Sequence, residues 1–521
     1  MKKNLYKTIG ILMLSVTTLS SCDKNFEEIN IDPINILNTT PDKLLAPALV
    51  NTLTAGMTRN RNFNNELMQV TVSISDGDGT VFRYEYRSTF SDYLWNAWYV
   101  QLTNFKDIYK LAGQPAMANK SYQGISLVCQ SWVYSMLSDT YGDIPYFNSN
   151  QGSTGILEAH FDKQKDIYLD IFKQLEEANT LLSAGTAITP SSDPVFKGDI
   201  AKWRKFCNSL YLRLLLRVSG KSDISAQVIA KIKEIVDTNP TGYPTMKNNS
   251  ESATLKWTGL TGTDPFVNPY VNGVRVQDFR APAIGSFFIE HLRDWADPRI
   301  DANAPNGDGG VNRLGIAQGS QGYSGVPSGY AIGAGVVKQA YFYSYDQALG
   351  SSTYGAKSLQ QSAKTGILMN YAELQFILAE AAVKGWINGS AASYYNAGIA
   401  NAINYWVPAF STTTTAAAFT NYVTAADIDW DNTQSTEGKM EQIHLQKYFS
   451  LFLVDMQQWF EYRRTGHPVL PKGAGLRNGG VMPARMTYPV YVQSANPTSY
   501  QLAVAAQGPD AINTNVWWQK P

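Results

Sequence analysis

Apolar residues recur at three- and four-residue spacing along most of the chain, which is the period of an amphipathic helix. One such stripe predicts a helix that ends at Gly113, and two more predict helices over residues 167–182 and 203–217. A later stripe predicts one long helix over residues 439–463, which stops before Gly466. The chain is therefore predicted to be mainly α-helical.

Two helical patterns between residues 371 and 406 are separated only by a short break at residues 385–390, which predicts an antiparallel helix pair. Small residues within the pair, such as Ala379 and Gly398, stand at offsets typical of a tetratricopeptide-type repeat. Close crossing of the two helices excludes large side chains at such positions. The later proline of that repeat is absent, because position 403 is isoleucine.

Three segments differ from the helical stretches, and one of them, residues 301–356, has no helical period. Residues 301–356 combine many glycines with tyrosines, and residues 481–518 are rich in proline, asparagine and aromatics. Residues 408–426 are predicted to form a surface excursion. Because binding functions often lie on loops carried by a regular scaffold, the first two segments are candidates for a binding surface.

The start of the chain has the pattern of a bacterial lipoprotein signal. Three lysines precede an apolar run over residues 9–19, which is about half of the length that a membrane-spanning helix needs. Small residues stand directly before Cys22, so we expect a signal peptide over residues 1–21 and a single-domain mature chain over residues 22–521, lipid-anchored through Cys22. An ordinary secretory signal followed by an incidental cysteine is the alternative.

Cysteine content and charge exclude several classes of protein. Three cysteines are too few for a disulfide framework, and Cys129 and Cys207 lie in apolar helical patterns, as small buried hydrophobes do. Lys and Arg together number 43, as do Asp and Glu. Loss of the leader lysines makes the mature chain slightly acidic, so nothing favours nucleic acid or an anionic membrane surface as a partner.

The sequence contains no recognisable catalytic or metal-binding motif. The four histidines fall at no metal-ligand spacing. Residues 76–80 begin like a calcium loop, but Val81 stands where glycine is needed and Arg87 where a carboxylate is needed. Glycines after residue 328 do not complete a dinucleotide fingerprint, because Lys338 stands in place of the third. We therefore expect no enzyme, no catalytic residues, no metal and no cofactor.

Short motifs follow one another in order along nearly the whole chain, beginning with Ser-Asp-Thr-Tyr-Gly-Asp-Ile-Pro-Tyr over residues 138–146. The others lie at residues 161–164, 202–203, 208–213, 297–299, 323–327, 373–381, 446–447, 463–466, 483–489 and 517–518. In sequence and spacing this series resembles the SusD/RagB family of outer-membrane nutrient-binding lipoproteins. The resemblance is greatest to the branch described as starch-binding and associating with the outer membrane.

The resemblance implies an all-α, SusD-like fold, in which tetratricopeptide-like helix pairs form a scaffold and long irregular loops form the ligand face. It implies a partner, a SusC-like TonB-dependent β-barrel transporter, over which the protein sits as a hinged lid at the cell surface. It also implies a nutrient ligand, which in this family ranges from starch and other glycans to peptides. No chemistry is required of such a lid.

The motifs themselves are interpreted as structural. Gly142 permits a left-handed backbone after a helix. Arg463 and Arg464, at a helix end, are expected to oppose the negative helix terminus or to pair with buried carboxylates such as Glu373 or Glu380.

Aromatic residues make up 12% of the chain, and aromatic faces can stack on the apolar faces of sugar rings. Most of these rings are expected to fill the core, and the exceptions should lie in loops outside the helical periods. The candidate ligand-binding residues chosen on this ground are Phe82, Tyr84, Tyr270, Arg275, Tyr323 and Tyr330.

Three functions are open at this point. The first is capture of an oligosaccharide for the transporter, and the second is the same role for oligopeptides, which predicts contacts to backbone amides. The third is a surface glycoside hydrolase, which needs two carboxylates about 5–9.5 Å apart across a cleft, one of them strongly desolvated.

Overall fold

The protein was analysed as a computed structural model, which describes residues 39–259, 265–300, 313–345 and 358–520. The predicted leader and Cys22 lie outside these residues. The α-helices are α1 (Pro41–Arg59), α2 (Asn65–Leu67), α3 (Phe90–Ala112), α4 (Lys120–Tyr141), α5 (Gln164–Ser183), α6 (Ile200–Val218), α7 (Ser225–Lys233), α8 (Pro269–Asn272), α9 (Val276–Arg280), α10 (Ser286–Asp294), α11 (Tyr371–Val383), α12 (Ala391–Trp406), α13 (Ala417–Ala425), α14 (Thr436–Ser450), α15 (Gln457–Thr465), α16 (Val490–Ala495) and α17 (Pro497–Gln507). The strands are β1 (Thr71–Val72), β2 (Ile144–Pro145), β3 (Phe161–Asp162), β4 (Ala253–Leu255), β5 (Ala283–Ile284), β6 (Ile316–Ala317), β7 (Tyr341–Phe342) and β8 (Gly366–Met369).

Long helices that follow one another in the chain pack side by side and form the scaffold. Helix α4 packs against α3 and α5, α5 also packs against α6, and α11 packs against α12. Gly113 ends α3, while α5 and α6 span the two predicted stripes, so these predictions are confirmed. The break at residues 384–390 separates α11 from α12, which confirms the predicted helix pair. The all-α fold class is likewise confirmed.

Close approach within the helix pair explains the small residue at position 398. A Cβ atom on Gly398 would lie 2.6 Å from the Phe376 ring of α11, inside van der Waals contact. Gly124 of α4 is in the same situation, since its Cβ would lie 2.7 Å from Leu182 of α5. The packing of these helices therefore depends on the missing side chains.

The prediction of one long helix over residues 439–463 is wrong, because the structure has two helices there. Helix α14 ends at Ser450 and α15 begins at Gln457, and between them Leu453 and Asp455 adopt positive φ angles of 65° and 30°. The side chain of Asn60 donates to the Asp455 carbonyl at 2.6 Å. A contact from a segment nearly four hundred residues away thus holds a break that the apolar period does not reveal.

Buried charges join the helices at the centre of the scaffold. Arg464 donates to both carboxylate oxygens of Glu380, at 2.8 and 2.6 Å, as expected. Glu373 instead receives Arg213 of α6 in a bidentate pair, with both distances 2.6 Å. Arg463 has no such carboxylate partner among the described residues, and donates to the backbone carbonyls of residues 139 and 484. The motif residues therefore hold the fold together.

The segment over residues 408–426 is only partly the surface excursion that the sequence predicts. Residues 417–425 form helix α13, in which Phe419 and Tyr422 are buried. The Tyr422 hydroxyl donates to the Asp297 carboxylate at 2.8 Å, and Arg299 pairs with the same carboxylate at 2.7 Å. This buried contact anchors the segment to the motif at residues 297–299.

By their contacts, Pro41–Pro521 form one unit and Met1–Thr40 form another, which is described only from residue 39. The single domain over residues 22–521 stays a prediction. Cys129 and Cys207 are buried and carry no disulfide. Among the described residues, no helix combines the length and the apolar character needed to cross a membrane.

Candidate functional site

Three irregular segments, residues 71–87, 275–284 and 323–345, meet in what we call the loop face. Strand β1 pairs antiparallel with β5, so that Thr71 stands opposite Ile284. The Ile284 backbone amide donates to the Ala340 carbonyl at 2.8 Å, and the Val326 amide donates to the Ile284 carbonyl at 2.9 Å. Backbone hydrogen bonds therefore hold together loops that lie far apart in the chain.

A pocket of about 330 Å³, which we call the loop-face pocket, opens where the loop face meets the end of α1. Its lining combines charged, amide, hydroxyl and apolar groups. The lining residues are Arg61, Asn62, Glu66, Ser73, Ile74, Asp278, Ala281 and Pro282. Such a mixture of a few polar groups with apolar surface is typical of a site for a small ligand.

Opposite charges order one wall of the loop-face pocket. The Arg275 guanidinium donates to the Asp278 carboxylate at 2.7 and 3.1 Å, while its own side chain is 82% exposed. Arg61 donates to the Asp278 backbone carbonyl at 3.2 Å. The Arg275 partner lowers the pKa of Asp278, so this carboxylate is ionised at neutral pH. The wall thus presents charged donors and acceptors to solvent.

Glu66 lines the same pocket but is only 8% exposed. Its carboxyl accepts hydrogen bonds from the Ser73 hydroxyl at 2.6 Å and from the Phe82 backbone amide at 3.2 Å. Burial raises the pKa of Glu66 to about 7, against the opposing effect of these hydrogen bonds. The pocket therefore contains a carboxyl group that is partly protonated at neutral pH.

The structure brings Phe82 and Tyr330 together, but in the interior. Their rings stack with centroids 5.0 Å apart, and the Arg83 guanidinium lies 4.5 and 4.7 Å from the two centroids. The Tyr330 hydroxyl accepts from the Ser75 amide at 2.9 Å and donates to the Ser73 carbonyl at 3.1 Å. With exposures of 0% and 7%, these rings hold the turn beside the loop-face pocket and leave little ring face for a sugar.

Tyr84 and Tyr270 are also core residues. Tyr84 is buried in left-handed backbone, and Tyr270 donates its hydroxyl to the Met57 carbonyl at 3.3 Å. Tyr323 is half-buried and donates to the Ile300 carbonyl at 2.8 Å. Of the six residues chosen from the sequence, Arg275 is the one with a freely exposed side chain. All six stay predictions for ligand binding, and the geometry favours Arg275.

Sequence reasoning missed the residues that line the loop-face pocket. Arg61 lies in the π-helical turn Asn60–Asn64, and Glu66 lies in the short helix after it, so both are in a helical region. Ile74 is 42% exposed although it follows a buried strand. A signal existed for Asp278, which stands three residues after Arg275, at the spacing of a helical ion pair.

One cluster of possible metal ligands lies away from the loop face, within the part of the chain that the structure describes. Ligand atoms of Glu380, His444 and Glu461 fall within 4.8 Å of one another. Arg464 donates to both carboxylates, and Lys447 lies 2.5 Å from Glu461. Burial lowers the pKa of His444 to about 3, so its ring is neutral. The protein's own cations thus occupy these carboxylates.

The comparisons with known proteins agree with this architecture. The family model of SusD-like proteins, described as starch-binding and associating with the outer membrane, matches residues 33–489. The chain therefore belongs to this family, which confirms the resemblance noted in the sequence. No curated protein matches the chain.

Solved structures of SusD homologues share the fold. One from Bacteroides fragilis is 23% identical, with a TM-score of 0.73 over 93% of this chain and 100% of that chain. A chitin-binding SusD homologue from Flavobacterium johnsoniae is 20% identical, with a TM-score of 0.72 over 92% of this chain and 98% of that chain. Family membership makes nutrient binding at the outer membrane the class of function.

Proposed function

We propose that this protein binds an oligosaccharide at the loop-face pocket and delivers it, as a lipid-anchored lid, to a SusC-like TonB-dependent barrel. The observation that carries the proposal is the lining of that pocket. Arg61, Asn62 and Asp278 offer donors and acceptors for sugar hydroxyls, and the exposed Ile74 side chain offers an apolar surface for a sugar ring. The family description and the chitin-binding relative support a glycan as the ligand.

A direct test measures binding of neutral oligosaccharides, such as maltohexaose and chitohexaose, by isothermal titration calorimetry. Arg275→Ala should weaken binding, because Arg275 pairs with Asp278 of the lining and holds that carboxylate in place. Lys165→Ala is a matched control, since it breaks the Lys165–Asp223 pair, which is likewise exposed and lies outside the pocket lining. Equal affinity of both variants and the parent protein would place the ligand elsewhere.

The lid role is tested separately from the ligand. The lipidated, tagged protein is recovered from its native membrane in mild detergent, and the proteins that come with it are identified by mass spectrometry. Near-equal recovery of a TonB-dependent barrel is expected. Cross-linking the lid to the barrel rim should abolish uptake but leave ligand binding intact, and unchanged uptake would contradict the hinged lid.

An oligopeptide ligand is the second candidate. The loop-face pocket favours it in one respect, because ionised Asp278 beside Arg275 offers both charges to the termini of a peptide. Competition between a tetrapeptide mixture and maltohexaose in the same titration separates the two classes. If the peptides bind and maltohexaose does not, the ligand is an oligopeptide and the oligosaccharide proposal is contradicted.

The glycoside hydrolase is favoured by one observation, the desolvated Glu66 and the ionised Asp278 in the lining of one pocket. Different environments for two carboxyl groups are what an acid and a base require. Both Glu66 oxygens are, however, engaged by Ser73 and Phe82. Product release from maltohexaose or chitohexaose, lost in Glu66→Gln, would identify an enzyme, and unchanged oligosaccharides would identify a binding protein.

A further inference from the structure

A second concave site, which we call the lysine cleft, lies outside the loop face. It has a volume of about 430 Å³ and lies between the residues before and at the start of α6, the segment around β4, and the end of α12. It shares no lining residue with the loop-face pocket. Its volume is in the range of pockets that enclose small ligands.

The lining of the lysine cleft is strongly cationic. Lys197, Lys202, Lys256 and Lys364 line it, and no aspartate or glutamate is among the described residues that line it. Among the described residues, the ion pair that these lysines make is a long one, 3.9 Å from the Lys202 ammonium to the Asp199 carboxylate. The lysine charges of the cleft are therefore largely uncompensated by carboxylates of the described chain.

Lys364 is a half-buried cation of the cleft. Its ammonium donates to the Tyr405 carbonyl at 2.7 Å and lies 5.6 Å from the Tyr405 ring centroid. Burial lowers its pKa, and the positive charges of Arg313 and Lys256 lower it further. Like charges repel one another, so an anion bound among these cations would relieve that repulsion.

Neutral hydrogen-bonding groups complete the cleft. The amide group of Asn249 donates to the Asn401 carbonyl and to Asn404, both at 2.9 Å, but its carbonyl oxygen meets no donor from the described residues. Serine and threonine side chains at positions 250, 252 and 254 lie in the same lining. Cations for an acid group thus stand beside acceptors and donors for hydroxyl groups.

We infer that the lysine cleft is a second glycan subsite, which binds a sugar residue bearing an anionic group, a carboxylate or a sulfate ester. The lysines would hold the acid group, and Asn249 with the neighbouring hydroxyls would hold the sugar hydroxyls. This inference deepens the proposed function, on which it rests for the glycan nature of the ligand. It adds that the glycan is acidic or partly acidic.

The test uses the full lipidated chain in detergent, with hexagalacturonate as the acidic probe and maltohexaose as the neutral one. Lys197 and Lys256 are both exposed, so the double substitution Lys197→Gln with Lys256→Gln removes two charges of the cleft without opening the core. It should weaken hexagalacturonate binding about tenfold or more, because it removes two of the four lysine charges that would hold the acid groups. Raising the salt from 50 to 500 mM should weaken binding of the parent protein in the same direction.

The control is a double variant that loses two lysine charges outside the cleft. Lys120 and Lys233 are exposed lysines outside the cleft lining, so Lys120→Gln with Lys233→Gln should leave hexagalacturonate affinity unchanged. Equal affinities of the parent and both double variants would overturn the inference, and so would an equal loss in the control. Sodium sulfate is titrated alone as a further probe. If sulfate binds as tightly as hexagalacturonate and substitution of Lys256 weakens both equally, the cleft is a site for free anions and the sugar assignment is overturned.

The two probes keep this inference apart from the proposed function. Maltohexaose has no acid group, so it reports on the loop-face pocket, where Arg275→Ala acts. If neither the parent protein nor any variant binds maltohexaose but hexagalacturonate binding is intact, the loop-face proposal is contradicted and the lysine-cleft inference is not. Absence of hexagalacturonate binding with intact maltohexaose binding would contradict the lysine cleft alone.

Discussion

Replacing Glu66 by glutamine should stabilise the protein at pH 8 and have little effect near pH 4.5. Burial raises the pKa of Glu66 from 4.5 to about 7, so the folded chain holds this proton more tightly than the unfolded chain. Below pH 4.5 both states are protonated. Between pH 4.5 and 7 the unfolded state releases the proton first, so the stability that Glu66 contributes is lost as the pH rises through 7.

The size of the effect follows from the same pKa values. One pH unit between the folded and unfolded pKa is worth about 1.4 kcal/mol, so the ionised Glu66 costs about 3 kcal/mol of unfolding free energy above pH 7. Glutamine is neutral at every pH and avoids this cost. Its amide oxygen can still accept from the Phe82 amide, and its amino group can donate to the Ser73 hydroxyl.

The measurement is urea unfolding of the parent protein and Glu66→Gln, followed by tryptophan fluorescence at pH 5, 6, 7 and 8. The difference between the two proteins is the relevant quantity, because burial also raises the pKa of Asp455, to about 6, and contributes to the pH dependence of both. Glu158→Gln, at an exposed position, is the control. A stability difference that is the same at all four pH values would refute the assigned environment of Glu66.

Three further substitutions address the scaffold and the anchor. Gly398→Ala should cost about 1–3 kcal/mol of unfolding free energy, because the added methyl group crowds the Phe376 ring. Gly220→Ala is the control, since its methyl group would point into open space, and equal urea midpoints for the two variants would contradict the close helix crossing. Glu373→Gln should cost about 3–5 kcal/mol of unfolding free energy, because it leaves the buried Arg213 charge unpaired. Lys165→Gln breaks an exposed pair and should cost little, so an equally small loss in Glu373→Gln would show that the buried pair is not needed for stability. Cys22→Ala should abolish incorporation of a labelled fatty acid in cells, and persistent labelling would rule out this residue as the lipid site.

The helical period predicted the scaffold well because the apolar stripe of each helix is the surface that packs. Helices α3, α5 and α6 follow their stripes to within a few residues. The helical period does not predict the break at residues 451–456, where the apolar stripe continues but the helix does not. There the backbone turns at Leu453 and Asp455, and the contact from Asn60 lies too far along the chain to appear in a local pattern.

The candidate ligand residues show the corresponding limit for the site. The sequence predicts Phe82, Tyr84, Tyr270 and Tyr330 as ligand residues because they lie in irregular segments, and each of these segments does lie outside the long helices. Their rings are nonetheless buried. Phe82 and Tyr330 cover each other, because residues 71–87 and 323–345 fold against each other, and Tyr84 and Tyr270 pack into the main core. An irregular backbone does not imply an exposed side chain when two loops supply each other's core.

Family membership and the helical elements followed from the sequence because motifs in order and apolar periods are properties of short stretches of chain. The lining of the loop-face pocket and the charge of the lysine cleft did not, since each combines residues from segments that are remote in sequence. Whether a carboxyl such as that of Glu66 is ionised depends on which segments exclude water from it. That is decided only when the chain has folded, and the chemistry of both sites is decided with it.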